Sequence, residues 1–188
     1  SLVYITSAAA KIASGLKGAA ETQEEKEDFL SKQSDIFNVF SDTPSQRYLD
    51  ARPLELDGEP NYAKESTEPS DQSDYDRIVE NLEKEFERLD FSQSEIDALL
   101  NLLESTLSYV PVSTRTKESS DISLATYSRL TAGFALAIEE YLTDKKCLDY
   151  EKVLGRDLEA FYSEKAFLLA SFDLSGIQDF IYNIATAG

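Results

Sequence analysis

The sequence contains no histidine, methionine or tryptophan, and its only cysteine is Cys147. Without histidine, a Ser-His-Asp triad, a histidine acid–base pair and a nuclease centre built on a His-Asp metal cluster are all excluded from this span. The usual zinc sites are excluded too, because they need several histidines or cysteines. A single cysteine also rules out an internal disulfide and fits a reducing compartment, so we expect a cytoplasmic protein.

Positive charge is scarce as well. Eighteen Lys and Arg residues stand against 36 Asp and Glu residues, which gives a formal net charge of −18. Such a charge repels phosphate backbones, so this span alone is not expected to bind nucleic acid strongly. Much of the negative charge is concentrated in 21–28, 64–76 and 79–90, where solvent-exposed helix faces and loops are the simplest interpretation.

Long hydrophobic runs are missing. No apolar run reaches the roughly 18 residues that a membrane span requires, and no basic segment followed by an apolar one marks a secretory signal. With 41% hydrophobic residues, the 188 residues are enough to bury a core and form one or two small domains. The chain starts at Ser1 instead of Met, so we expect a processed or trimmed chain.

What is present is mainly helical periodicity. Apolar residues at helical spacing predict four helices, which span 1–20, 75–91, 92–110 and 123–143. A weaker helix, broken near Gly155, is predicted over 149–163. The short link between the second and third helices predicts an antiparallel pair.

Several residues predict how these helices begin and pack. Ser73 or Asp74 is expected to cap the second helix, and Ser92 with Glu95 has the pattern of a capping box at the third. Asp121 or Ser123 should begin the fourth. Its centre has small side chains that permit close helix contact, so we expect it to be the buried hub of the helical part; these are Ala132, Gly133, Ala135 and Ala137.

A β-hairpin is predicted over 47–62. Leu54 and Leu56 alternate with polar residues there, and Asp57-Gly58 is a favoured two-residue turn. Two prolines, at positions 53 and 60, restrict its pairing. The following residues, 63–75, have the composition of a loop.

The end of the chain predicts one β–α unit. The run Phe167–Phe172 is apolar and flanked by charge, the pattern of a buried strand, and Ser175-Gly176 makes a turn into a last helix. A lone strand has no partner for its backbone hydrogen bonds, so such a unit is not stable alone. The span is therefore predicted to be part of a longer protein.

This closing segment, FLLASFDLSGIQDFIYNI, resembles the start of the first palm domain in the large subunit of type III CRISPR–Cas effector complexes. The family pattern is an apolar strand, Asp-Ile/Leu-Ser-Gly-Ile-Gln and then Phe-Ile-Tyr. Eight positions match it: Asp173, Ser175, Gly176, Ile177, Gln178, Phe180, Ile181 and Tyr182.

Three further stretches agree in the same order. LVYITSAAAKIASG resembles the helix that closes the family's N-terminal HD-type nuclease domain, and QSDIFNVF with RPLEL resembles the segment and hairpin that follow it. VPVSTRTKESSDISLATYSRLTAGFALAIEEYL resembles the family's Pro-x-Ser-Thr and Asp-Ile-Ser-Leu stretch. The resemblance covers nearly the whole chain and points to the III-A (Csm) subtype.

The resemblance implies an α+β fold that is mostly helical in this span. Residues 1–45 would be the C-terminal part of a degenerate or truncated HD-type domain, and 46–75 a hairpin and acidic linker. Residues 76–163 would form a helical part leading into the palm, and 164–188 the start of a ferredoxin-like palm domain.

The resemblance also implies what the complete subunit does. It would be a target-RNA-activated single-stranded DNase and a cyclic oligoadenylate synthase that uses ATP with Mg²⁺ or Mn²⁺. Its partners would be the other Csm subunits, CRISPR RNA and target RNA, with single-stranded DNA as substrate. Neither the family's N-terminal His-Asp motif nor its Gly-Gly-Asp-Asp motif occurs here, so no catalytic residue and no metal ligand is predicted in this span.

The chain departs from the family at two places. Ala10 stands where the family typically carries Asp before the Ile-Ala-Ser-Gly run. Ser128 and Arg129 stand where an Asp-His pair is often found.

The candidate nucleotide-binding residues are Asp173, Ser175 and Gly176. A Ser-Gly turn before a helix exposes backbone N–H groups and a hydroxyl, to which phosphate, ribose or base can bind. The resemblance implies that this turn faces the ATP pocket between two palm domains. In the simpler interpretation, Ser175 caps the helix and Gly176 allows tight packing. Asp173 could bind Mg²⁺, or instead cap the turn.

A different class of function fits the charge without any cofactor. The chain could be a non-catalytic, acidic helical adaptor whose negative face docks a basic partner. The residues by themselves leave this alternative open.

Overall fold

A computed structural model describes residues 2–15, 32–34, 47–54, 58–65, 70–112, 122–147 and 149–171. Within these ranges the chain is mostly helical with a small antiparallel sheet, as the α+β class requires. The elements, in chain order, are α1 (Leu2–Ala13), β1 (Gln33–Ser34), β2 (Arg47–Leu49), β3 (Lys64–Glu65), α2 (Gln72–Phe86), α3 (Ile96–Leu107), α4 (Leu124–Asp144) and α5 (Leu158–Phe161). No helix among these residues is long and apolar enough to cross a membrane.

Helix α2 begins earlier than the sequence predicts. Its N-cap is Asp71, not Ser73 or Asp74, and the Asp71 carboxylate accepts a 3.0 Å hydrogen bond from the Ser73 backbone N–H. That bond lowers the pKa of Asp71, which keeps the cap ionised. The predicted loop over 63–75 is therefore shorter, because β3 and the first turn of α2 both fall within it.

The predicted capping box at Ser92 does not form. Ser92 makes no side-chain capping bond, and its backbone N–H donates at 2.7 Å to Asp90 Oδ1. In a capping box Glu95 would accept from that same N–H group. Because Asp90 already occupies it, Glu95 Oε2 accepts from the Asp90 N–H instead, also at 2.7 Å. A 3₁₀ turn at Gln93–Glu95 then leads into α3.

The start of helix α4 is predicted correctly. Ser123 is its N-cap, and the Ser123 hydroxyl accepts a hydrogen bond from the Thr126 N–H. The helix ends in a Schellman motif, in which Cys147 N donates to Leu142 O and Lys146 N donates to Thr143 O, both at 2.9 Å. Lys146 has a φ of 54°, a left-handed backbone that glycine usually supplies at this position.

Replacing Lys146 by glycine should stabilise the protein by about 0.5–1 kcal/mol. A left-handed backbone destabilises the folded state by about 1–2 kcal/mol when the residue is not glycine. Glycine removes this cost, but it loses more conformational entropy on folding, which offsets part of the stabilisation. Urea unfolding measures the difference. Lys146→Ala is the control, since alanine keeps the backbone cost; equal stability of the two variants would contradict this account.

The first core joins the two ends of the described chain. Buried side chains of α1 and α4 meet those of a π-helical turn at Glu151–Arg156 and of α5. The buried members are Ile5, Ala8, Ala9, Ile138, Leu142, Leu154 and Phe161. Gly155 lies where an added Cβ would come 3.1 Å from the Tyr4 ring, so the break predicted near Gly155 is a close approach of backbone to α1.

Helix α4 is only partly the buried hub that its small residues predict. Ile138 is 0% exposed and Leu142 is 3% exposed, but Ala132 and Gly133 are exposed and Leu136 is 68% exposed. Among the described residues, α1 packs along one side of α4. Of its small residues, Ala135 packs against the first core, whereas Ala132 and Gly133 are exposed.

A second core lies between the sheet segment, α2 and α3. Its buried members are Ala51, Ile78, Leu107 and Val110. Leu54 N donates to Ser105 O at 2.6 Å and so attaches the chain after β2 to α3. The two helices pack against each other, as their short link predicts.

The sheet has the order β1-β2-β3, and both pairs are antiparallel. Arg47 lies opposite Glu65 and Tyr48 opposite Lys64, so residues 50–63 connect the two paired strands of the predicted hairpin. The antiparallel pairing of the predicted hairpin is therefore confirmed, but its strands are joined by more than the two predicted turn residues. Leu56 and Asp57 lie outside the described residues. Within residues 50–63, side-chain hydrogen bonds take the place of bonds between strand backbones. The Asp50 backbone N–H donates to Asn61 Oδ1, and Asn61 Nδ2 donates to the Asp50 carbonyl oxygen.

Candidate functional site

The predicted nucleotide-binding residues Asp173, Ser175 and Gly176 lie outside the described residues, so their role stays a prediction. The structure describes the chain as far as Ser171. It therefore includes residues 167–171, which lead to the predicted site, and the helices of the first core next to them, which we call the helical platform.

Phe167 attaches that segment to the platform. Its ring lies 4.9 Å from the ring of Phe134 on α4, with the planes inclined by 45°, a favourable aromatic contact. The next two residues have no such cover, since Leu168 is 89% exposed and Leu169 is 78% exposed.

Residues 167–171 are not paired as a strand within the described part of the chain, so the strand predicted over Phe167–Phe172, whose partners are expected outside this span, stays a prediction. A strand needs a hydrogen-bonded neighbour. The three described strands pair only with one another, and the described residues leave Leu168 and Leu169 exposed. The amino-acid pattern indicates that these residues favour a strand, but it does not show which segment would pair with them.

A cavity of about 410 Å³ lies between the end of α4, the π-helical turn and α5. Aromatic and aliphatic side chains form much of its wall, with an ammonium and two carboxylates among them. The lining residues are Tyr141, Leu142, Lys145, Val153, Asp157, Ala160, Phe161 and Glu164.

Tyr141 and Glu164 make the best-defined polar contact at this cavity. The Tyr141 hydroxyl donates a 2.8 Å hydrogen bond to Glu164 Oε2, and Lys145 Nζ lies 5.5 Å from the Tyr141 ring centroid. The bond to Glu164 raises the pKa of Tyr141, so the phenol remains protonated at neutral pH. This geometry can hold a polar group, but it does not activate a nucleophile.

No group of three or more Asp, Glu or Cys side chains that could hold a metal ion occurs in the described part of the chain.

Of the two departures from the family pattern, Ala10 lies at the contact between α1 and α4, and Arg129 lies on α4 with its partner on α3. The Tyr127 hydroxyl donates a 3.0 Å hydrogen bond to the Ala10 carbonyl oxygen, across 117 residues of sequence. Arg129 forms a 2.7 Å ion pair with Glu104 of α3. Helix packing thus brings Ala10 to Tyr127, the residue before positions 128–129, and the contact is made by a tyrosine hydroxyl and a backbone carbonyl.

No sequence pattern indicated the Tyr141–Glu164 or Tyr127–Ala10 contacts. Tyrosine and glutamate are common residues on helices, and neither pair lies at a helical spacing of three or four residues. Only the tertiary packing of α1, α4 and the segment after α5 creates them.

Comparison with known proteins places the chain in a family. No family model matches it, but single proteins match well. It is 50% identical over 194 aligned residues to the single-strand-specific deoxyribonuclease Cas10/Csm1 of the Streptococcus thermophilus CRISPR system, subtype III-A, covering 100% of this chain and 26% of that protein. Proteins of the same name from Enterococcus italicus and Mycobacterium tuberculosis also match.

The Enterococcus protein is 33% identical over 98% of this chain, and 26% of its own length is covered. The Mycobacterium protein is 42% identical over 63% of this chain and 15% of its own length. The chain thus spans about a quarter of the length of the Streptococcus and Enterococcus proteins. Since the similarity extends over the whole chain, the chain belongs to the Cas10/Csm1 family of the type III-A CRISPR systems, the large subunit of their effector complex.

Proposed function

We propose that this chain is the connecting part of a large subunit that cleaves single-stranded DNA and cyclises ATP once the complex has bound target RNA. The observation that carries the proposal is the 50% identity to a single-strand-specific deoxyribonuclease over the whole chain. The ATP chemistry rests on the resemblance of the closing motif to the first palm domain. The same identity favours this function over that of an acidic adaptor.

Each part of the span has its own role in this proposal. Residues 1–45 close a degenerate or truncated HD-type domain, 46–75 form a hairpin and acidic linker, 76–163 form the helical part, and 164–188 begin the ferredoxin-like palm domain. Helices α1 and α4 share the first core. The end of the nuclease domain and the helical part would therefore move as one body, which couples the two catalytic domains mechanically.

The nucleotide-binding residues in this proposal are Asp173, Ser175 and Gly176. The Ser175 hydroxyl and the Gly176 backbone N–H would donate hydrogen bonds to ATP, and the Asp173 carboxylate would orient the turn or contact the metal. Mg²⁺ or Mn²⁺, when bound, would neutralise charge on the phosphates. The contact of Phe167 with Phe134 supports this role, because it holds the chain six residues before Asp173.

The partners follow from the same proposal. They are the other Csm subunits, CRISPR RNA and target RNA in the cytoplasm, with single-stranded DNA as substrate. The formal charge of −18 opposes direct RNA binding by this span. Its share in RNA recognition would therefore be made through neighbouring subunits.

Ser175→Ala in the complete subunit tests the nucleotide site. We expect about a tenfold loss of cyclic oligoadenylate formation after target RNA is added, because one hydrogen bond to a charged group is lost. Single-stranded DNA cleavage should be unchanged. Ser171→Ala, an exposed serine before the motif, is the matched control. Unchanged ATP affinity and cyclisation in Ser175→Ala would reduce Ser175 to a helix cap.

A further inference from the structure

The turn between α2 and α3 exposes an aromatic ring on strained backbone. Phe91 has a φ of 54°, a region that bulky L residues rarely adopt, and it is 61% exposed. Glycine or asparagine would adopt this backbone more easily. Strain that the fold maintains at an exposed position is typical of sites selected for function.

One aromatic ring lies close to Phe91, and two exposed apolar side chains follow it within nine residues of sequence. The Phe86 ring lies 5.9 Å from the Phe91 ring at an angle of 58°. After the turn, Ile96 is 50% exposed and Leu100 is 40% exposed, and their spacing of four residues places both on one side of α3. We name Phe86, Phe91, Ile96 and Leu100 the hairpin-tip surface.

The charge around the hairpin-tip surface is negative. Residues 83–97 contain six carboxylates and two cations. One of the cations, Arg88, is paired with Glu85 at 3.0 Å. The carboxylates are Glu83, Glu85, Glu87, Asp90, Glu95 and Asp97.

We propose that the hairpin-tip surface docks a protein partner, with Phe91 inserted into an apolar pocket whose edge carries lysine or arginine. An aromatic anchor inside a polar rim is the usual composition of an energetically dominant contact, and the acidic rim requires basic residues opposite it. The partner is another subunit of the effector complex, so this inference rests on the proposed function.

The charge also argues against two other occupants. Nucleic acid would bring phosphates to a surface that already carries a carboxylate excess. A second copy of the chain, docked symmetrically through the same surface, would carry the same carboxylate excess, and the two negative surfaces would repel each other. A basic protein surface is the one occupant that the charge attracts.

Phe91→Asn in the complete subunit tests the docking. Asparagine tolerates the left-handed backbone, so the thermal midpoint of the purified variant should be equal to or above that of the unmodified protein. Its affinity for the partner subunits should fall at least tenfold, because the anchor is gone. Phe91→Tyr, which keeps a ring, should bind nearly as well as the unmodified protein.

A photo-crosslinking phenylalanine analogue at position 91 identifies the occupant within the assembled complex. We expect one partner subunit to be labelled, at a segment with apolar residues beside Lys or Arg. Labelling of RNA, DNA or a second copy of the chain would overturn the proposal. So would full-affinity assembly of Phe91→Asn, or an equal loss of its thermal stability and its binding, which would make Phe91 a packing residue.

The two proposals fail in different ways. If the unmodified subunit does not assemble with Csm partners or cleave DNA on addition of target RNA, the proposed function is wrong. If the unmodified subunit does both and Phe91→Asn does so with equal affinity, only the docking inference is wrong.

Discussion

Ile138→Ala should destabilise the protein by about 2–5 kcal/mol, since it removes three carbon atoms from a fully packed position and leaves a cavity. Ile138 is 0% exposed and lies in the first core, where α4 meets α1 and the end of the described chain. A loss of this size is a large part of the roughly 5–15 kcal/mol that stabilises a typical domain. Urea unfolding measures it as a lower midpoint with an unchanged slope.

Leu136→Ala is the matched control on the same helix. Leu136 is 68% exposed, so its truncation should change the free energy of unfolding by no more than about 0.5 kcal/mol. Similar losses at 136 and 138 would mean that the exposed side of α4 is buried in the protein in solution, which would contradict the one-sided packing of α4 against α1.

Ala9→Leu should cost about 1–3 kcal/mol through overpacking. Ala8 is 1% exposed and Ala9 is 0% exposed, and both belong to the core that α1 forms with α4. A larger side chain at position 9 must push the two helices apart or adopt a strained rotamer. Thermal unfolding should show a lower midpoint.

Ser7→Leu provides the comparison for this prediction. Ser7 lies on the exposed side of α1, and leucine is a better helix former than serine. Its stability should be equal to or slightly above that of the unmodified protein. If Ala9→Leu unfolds at the same temperature as Ser7→Leu, close packing of α1 on α4 is not what holds the first core together.

Local patterns predicted much of the fold because helices depend on neighbours in sequence. The stripe of α4 and its cap at Ser123 follow from residues within one or two turns of each other. The start of α3 shows where this reasoning stops. Ser92 and Glu95 fit a capping box, but Asp90 competes for the same backbone N–H group, and the sequence pattern does not rank the two acceptors.

Contacts between distant residues could not be predicted in this way. The pairing of Arg47 with Glu65 leaves a long connection, whereas the Asp57-Gly58 pattern suggested a short turn. The bond from Tyr127 to Ala10 depends on how two helices meet. For the candidate site, the motif at 173–176 identified residues through resemblance to a family. The described platform adds the contact of Phe167 with Phe134, which no pattern indicated.

The pairing of α1 with α4 also has a consequence for synthesis of the protein on the ribosome. The hydrogen bond from Tyr127 to Ala10 joins residues that are 117 positions apart. At the usual elongation rates of 5–20 residues per second, Ala10 would be added to the chain roughly 6–23 seconds before Tyr127. During that interval the apolar side of α1, with Ile5, Ala8 and Ala9, has no α4 to cover it. Codons that slow translation before α4 would lengthen the time for which this apolar side lacks its partner helix.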